Sequence, residues 1–387
     1  MKKFIIFNSE IYSFEKSIMQ KGGVLTYIKD LAKLGQEMGA QTIMYQYEDK
    51  NLSEREYDWN GILIREVYAT KTLFKSLPQA AFDKIYEKEN CEDTIFVIST
   101  DQLDVRSKAQ NVIQIQHGVA FDIPGTLICS SLYRGCRGQM INKLFRCVHN
   151  VNRLNNIPTT VCVDYNYYNW FRTIGTESDE HRMHVIPNYT SDCISREILE
   201  KKLSSRGDVK KIVFARRMVE HRGSLLFARV AKRLLDERKD VNFTFSGDGP
   251  CLKQMHELLD GYTNVRFTEY LSEDCISFHK EFDICVVPTI YSEGTSLSLI
   301  EGMASGCIPV STHVGGLTNI ILDGYNGFLV HPDEDSFYKK IEEVLNLSKA
   351  DFNTVAKNAY DSAVKAFFVD KWKKDWKKVL EQKFNKR

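Results

Sequence analysis

The chain has 387 residues, enough for two sizeable cores. Its 43% hydrophobic and 27% charged fractions are those of an ordinary soluble globular protein, and a net charge of +1 gives no general pull towards nucleic acid or membrane. Ten cysteines lie scattered without a C-x-x-C pair, several in apolar runs (Cys162, Cys285, Cys307), which fits free thiols in a reducing cytosol better than a disulfide framework or zinc site. The start, MKKFIIFNSE, turns polar too early for a signal peptide, and no segment reaches the ~18 apolar residues of a membrane span. The expected location is cytoplasmic.

Residues 4–7 read as a buried strand, and residues 8–21 as a loop ending at Gly22-Gly23. Val24, Leu25, Ile28, Leu31, Ala32 and Leu34 then recur at helical spacing up to Gly39, a stop signal. QTIMYQY and GILIREVY are strand candidates, residues 78–89 a helix, and DTIFVIST and VIQIQHG further strands. Strand, glycine turn, helix, strand is the rhythm of an α/β domain with a mostly parallel sheet.

Between Ile123 and Val163 there is no acidic residue, whereas Arg134, Arg137, Lys143, Arg146 and Arg153 are present. Leu132, Met140, Ile141, Leu144, Phe145 and Val148 add a helical apolar stripe, the pattern of an interfacial helix on anionic lipid. The alternative, a core helix with a solvated basic face, is the expected one. TTVCVDY is the next strand, NYYNWFRTIG a helix and MHVIPN a short strand, after which Pro187-Asn188 marks a hinge.

A second α/β series begins at Lys210: KIVFARR (strand), residues 223–239 (amphipathic helix), VNFTFSGDGP (strand and glycine turn), CLKQMHELLDGY, VRFTEYL, a helix over residues 272–282, and DICVVPT. CIPVST and GFLV are its last strands, and from Asp335 the chain is mostly helical. The final segment places Trp372, Trp376 and Val379 or Leu380 on one face, which should dock on the protein while the lysines stay wet.

Residues 291–330 are the densest in candidate chemistry. Glu293 is followed by Gly294, Thr295 and Ser296, and Ser298 with Glu301 reads as an S-x-x-E capping box for a short helix ending at Gly306. Glu293 then lies in the preceding loop and Glu301 about a turn inside the helix, so both carboxylates can flank an anion at the helix start. The plain alternative makes Glu301 only a capping residue and Glu293 a solvated loop acid. Arg216, Arg217 and Arg222 follow the first strand of the second series, at the edge where ligands bind, and guanidinium offers forked bonds to phosphate. Gly22 and Gly23 can admit a phosphate or sugar close to the backbone, and His117 ends a strand where a cleft-facing polar residue would sit. Asp333-Glu334-Asp335 resembles a metal motif but is better explained as a helix cap. No G-x-G-x-x-G follows an N-terminal strand, which disfavours a dinucleotide dehydrogenase.

The E-x7-E element, the downstream GG and NGFLV, the FARRMVEHRG and FSGDGP turns and the VIPN hinge together resemble the GT-B retaining glycosyltransferases of glycosyltransferase family 4 (group 1). The resemblance is dense over residues 210–332. It implies two Rossmann-like doubly wound α/β domains facing across a cleft: residues 1–187 binding the acceptor, residues 188–365 binding the nucleotide-sugar, and residues 366–387 forming a helix that packs back on the first. It implies that Glu301 holds the ribose hydroxyls, Glu293 the sugar hydroxyls, and the amides of Thr295 to Leu297, with Gly294 and Ser296, the diphosphate. Arg217 and Arg222 match the family's cationic pair, with Arg216 the register alternative and arginine standing where relatives carry lysine. Gly22 or Gly23 would approach the diphosphate, His117 would face the sugar, and Tyr270 belongs to a loop near the base. Asn319 replaces a frequent glutamate.

The expected activity is sugar transfer from a nucleotide-diphosphate-sugar to a glycan or lipid-linked glycan, without metal or other cofactor and without nucleic acid. Peripheral membrane contact is a further possible partner. The alternatives are a GT-B nucleotide-sugar 2-epimerase and a sugar-nucleotide-binding or partner-binding module without turnover.

Overall fold

The computed structural model describes residues 2–49, 54–119, 136–174 and 182–385. These form two compact units. The first comprises the described residues within Met1–His117, Cys129–Ile186 and Lys373–Arg387, and the second those within Gly118–Ile128 and Pro187–Trp372. The break at Pro187 lies at the expected hinge, whereas the C-terminal segment that joins the first unit begins at Lys373 rather than at residue 366.

The first unit runs β1 (Lys3–Phe7), β2 (Tyr12–Ser13), β3 (Ile18–Met19), α1 (Gly23–Glu37), β4 (Gln41–Glu48), β5 (Arg55–Trp59), β6 (Ile62–Tyr68), α2 (Leu77–Glu89), β7 (Thr94–Ile98), β8 (Val112–Gln116), α3 (Cys136–Asn155), β9 (Thr159–Cys162), α4 (Tyr165–Ile174) and β10 (Met183–Val185). Its eight-stranded sheet has the order β10-β9-β8-β7-β1-β4-β6-β5. β1 pairs in parallel with β4 and β7, and being covered on both faces it reads as the unbroken apolar run Phe4 to Phe7. β5 is the departure: it lies antiparallel to β6, joined by Asn60-Gly61, both at positive φ. That is the two-residue hairpin signal, and a strand stood ahead of it that the sequence reading left out. The loop over residues 8–21 likewise contains the small β2–β3 hairpin.

The second unit runs α5 (Arg196–Ser204), β11 (Lys210–Ala215), α6 (Ser224–Glu237), β12 (Val241–Ser246), α7 (Leu252–Leu258), β13 (Val265–Thr268), α8 (Cys275–His279), β14 (Ile284–Val287), α9 (Leu297–Ala304), β15 (Ile308–Thr312), β16 (Phe328–Val330), α10 (Glu334–Leu345) and α11 (Lys349–Ala366), followed by α12 (Val369–Asn385). Its sheet is wholly parallel in the order β13-β12-β11-β14-β15-β16, the doubly wound sequence 3-2-1-4-5-6. α5 was not expected, because dense charge hid its two buried leucines, Leu199 and Leu203; Ser195 caps it by accepting the Ile198 amide at 3.2 Å.

Trp372, Trp376, Val379 and Leu380 are all buried, as the aromatic face of the last segment required. Trp376 donates its indole N–H to the Tyr27 hydroxyl at 2.7 Å, and Lys373 pairs with Glu37 at 2.6 Å. The opposite holds for α3. Its apolar stripe, expected to pack in a core, is exposed at Met140, Ile141, Leu144, Phe145 and Val148, because periodicity identifies an apolar face but not what covers it. Leu132 and Arg134 of the same stretch lie outside the described residues. Among the described residues no helix is long and apolar enough to cross a membrane.

Candidate active site

In the second unit the connections from β11 and β14 leave in opposite directions, and a crevice opens at their carboxyl ends. Arg216 directly follows β11, Thr289 lies two residues past β14, and Glu293 lies in the loop leading to α9. These three meet. Arg216 donates to the Glu293 carboxylate and to the Thr289 hydroxyl, Arg222 donates to the same carboxylate oxygen, and the Thr289 hydroxyl donates to it at 3.1 Å. Glu293 is buried, and the Arg216 side chain is only 6% exposed.

The turns carrying the arginines are seated by glycine. A Cβ on Gly247 or Gly249, both at positive φ, would stand 2.3 Å from the carbonyl oxygen of Arg216 or Met218. Met218 N–H donates to the Asp248 carbonyl at 2.8 Å, so the SGDGP turn is a support for the arginine turn. Gly223, at φ +77°, lets the Arg222 turn close on β14: a Cβ there would overlap the Pro288 carbonyl oxygen at 1.8 Å. The glycine pair downstream supports Glu293 from the other side, Gly316 N–H donating to its carbonyl at 2.8 Å.

Two guanidiniums share one carboxylate, which leaves a buried surplus of positive charge. Burial lowers Arg216 to about 9; burial, with repulsion from Arg216 and Arg217, lowers Arg222 to about 9. An entering anion would relieve both. Arg217 is exposed, and it is the register alternative Arg216 that shares the Glu293 carboxylate with Arg222.

Gly294, Thr295 and Ser296 are buried, and Asn188 of the hinge donates to the Thr295 carbonyl at 2.6 Å. Helix α9 starts at Leu297 with Ser296 as its N-cap residue and no side-chain cap. The expected Ser298–Glu301 capping box is therefore not formed. Ser298 already stands inside the helix, with its hydroxyl 3.3 Å from that of Ser296. The amides of the first turn have no acceptor within the helix, which keeps this end attractive to anions. Gly306 ends the helix at positive φ, as expected.

Glu301 occupies the second turn of α9, where burial raises its carboxyl to about 7 against a hydrogen bond with Cys275 that lowers it. Burial and the nearby Glu301 charge raise the Cys275 thiol to about 12 and push the Tyr270 phenol upwards as well. Tyr270 stacks on Phe278 at 4.3 Å, a flat aromatic surface beside Glu301. Asp333 accepts the Ser336 amide at 2.9 Å and caps α10, as the reading against a metal motif required.

The remaining candidates belong to the first unit. Gly22, at φ +147°, is the N-cap residue of α1, and a Cβ there would meet nothing within 4 Å; Gly23 opens the helix. His117 directly follows β8, donates from Nε2 to the Ser99 carbonyl at 2.8 Å and stands edge-on to Tyr27 of α1 at 5.6 Å. Burial lowers it to about 4, so it is neutral at pH 7. Sequence reasoning missed Thr289, although a polar residue at the exit of the apolar run DICVVPT was a usable signal.

Residues 209–347 match the family model of glycosyl transferases group 1. The structure resembles sucrose-phosphate synthase of Thermosynechococcus elongatus with a TM-score of 0.72 over 100% of both chains at 14% identity. The fold is GT-B. In sequence the chain is 35% identical over 120 residues to an uncharacterized glycosyltransferase of Methanocaldococcus jannaschii (29% of this chain, 34% of that one). It is 21% identical over 326 residues to UDP-Gal:alpha-D-GlcNAc-diphosphoundecaprenol alpha-1,3-galactosyltransferase of Escherichia coli (81% of this chain, 78% of that one). The matches span only 34% to 38% of the first three curated relatives. The group 1 match encloses Arg216, Arg222, Thr289, Glu293 and Glu301, so the crevice and the family segment coincide.

Proposed function

We propose that the chain is a retaining, metal-independent glycosyltransferase that moves a sugar from a nucleotide-diphosphate-sugar to a glycan or lipid-linked glycan. The observation that carries this reading is the convergence of Arg216 and Arg222 on Glu293 at the switch point, within the group 1 segment. A diphosphate entering the crevice would take over the guanidiniums and the first-turn amides of α9, releasing Glu293 for the hydroxyls of the sugar. Glu301, a turn further along, would hold the ribose hydroxyls, with Tyr270 beside it. The bond from the anomeric carbon to the leaving phosphate breaks through an oxocarbenium-like state, and the electron pair goes to the phosphate oxygen. Fixed cations and the helix end stabilise that charge as it develops. The acceptor oxygen bonds to the anomeric carbon on the face the phosphate leaves and gives its proton to that phosphate, so no protein base is needed, and the fixed guanidiniums stand where a metal would otherwise neutralise the leaving group. The name of the Escherichia coli relative, which states a lipid-diphosphate-linked acceptor, supports an acceptor of that class here.

Incubation with a panel of nucleotide-sugars and a lipid-linked acceptor tests the reading. Transfer with retained anomeric configuration, undiminished in EDTA, is expected. Conversion of the free donor would mark an epimerase instead, and binding without turnover a non-catalytic module. Scanning fluorimetry with nucleoside diphosphates should give a base-selective shift that Glu301→Ala abolishes.

A further inference from the structure

The first unit exposes large apolar side chains in two separate elements. Leu73 and Phe74, in the loop between β6 and α2, are 91% and 92% exposed, about as exposed as side chains in an unfolded chain. On α3, Met140, Ile141, Leu144, Phe145 and Val148 are also exposed, and at 100° per residue they fill an arc of about 140°. Scattered single apolar residues on a surface need no explanation, but a helix stripe and a loop tip of this kind do.

Both elements lie on the carboxyl side of the same sheet. The loop leaves β6 at its carboxyl end, and α3 meets the sheet near Asp104, just past the carboxyl end of β7, where Arg153 approaches to 3.8 Å. Both have cations beside them. Lys71 and Lys75 flank Leu73-Phe74, with Lys75 also reaching Asp83 at 2.6 Å, and Lys143 borders the helix stripe in a stretch without any acidic residue from Ile123 to Val163. In a chain of net charge +1 this is a local concentration of positive charge. Apolar tips with cations at their margins match the boundary of an anionic bilayer, where the side chains enter the acyl region and the ammonium groups stay among the headgroups.

We propose that the first unit docks on anionic phospholipid membranes through α3 and the 71–75 loop together. This does not depend on the catalytic reading. The test is flotation of the full chain with neutral phosphatidylcholine vesicles and with vesicles containing roughly 30% phosphatidylglycerol. Expected is at least about fivefold higher recovery on the anionic vesicles, falling at about 0.5 M NaCl. Phe74→Ser and Phe145→Ser should each cut it severalfold while leaving Tm unchanged, since both side chains are exposed. Equal recovery on the two vesicle types, or unchanged recovery in both variants, overturns the proposal. So does a dimer that Phe145→Ser dissociates without any flotation, which would assign the surface to a second copy of the chain.

Discussion

The crevice between β11 and β14 in the second unit and that between β1 and β7 in the first are topologically equivalent, for in each the chain winds out from a central strand and returns on its other side. Their chemistry differs. At the first-unit crevice the Ser99 hydroxyl donates to Asn8 at 2.6 Å, and neighbouring His117 is held neutral by burial. Asp101 and Asp164, past β7 and β9, are raised by burial to about 6. At the second-unit crevice two arginines crowd one carboxylate and positive charge is in surplus. Parallel winding determines where a ligand can sit, and the residues at the strand ends decide its charge. The second crevice presents positive charge to an anion, whereas the first presents neutral hydrogen-bonding groups.

The sharpest way to break this contrast is to remove the surplus charge. Arg216→Ala should lower kcat/KM about 10³-fold, a loss of the size seen when one charge-stabilising donor is deleted, whereas exposed Arg217→Ala should change it less than about fivefold. Equal losses would return Arg217 to the site. Next in size, Glu293→Ala should lower kcat about 10²-fold with little change in donor KM, and Glu301→Ala should raise donor KM about tenfold with kcat nearly kept. Matching kinetic profiles would mean that the two glutamates do not divide the work.

The pH dependence of stability contrasts two site candidates, Glu301 of the second unit and His117 of the first. Glu301 is raised from 4.5 to about 7, so its contribution is full below pH 4.5 and is lost as pH rises through about 7. His117 is lowered from 6.5 to about 4, so its contribution is present above pH 6.5 and is lost as pH falls towards 4. Urea unfolding at several pH values should therefore show that Glu301→Gln removes a loss towards neutral pH and His117→Gln a loss towards acid. The smallest expected effect is that of Ser298→Ala, within about 0.5 kcal/mol, because the hydroxyl caps nothing; a true cap would cost about 1 kcal/mol.

Much of this was legible in one dimension. The alternation of apolar strand runs and amphipathic helices announced two α/β units, Pro187 marked the break between them, and Gly306 ended α9 where a C′ glycine should. Those features are local, set by periodicity and by backbone conformations that few residues tolerate. β5 and α5 escaped for local reasons too: an Asn-Gly turn went unused, and charge masked two leucines.

What the sequence by itself determined is thus the order of the elements and the presence of glutamates and arginines near the strand ends of the second unit. Tertiary structure alone decided which of them meet. Arg216 and Arg217 are adjacent in the chain, and only the seating of their turn on Gly247 and Gly249 sends one to Glu293 and leaves the other in solvent. It also decided that the face of α3 stays open while that of α12 is buried, since a helix shows its apolar stripe in sequence but acquires a partner only when distant segments pack against it.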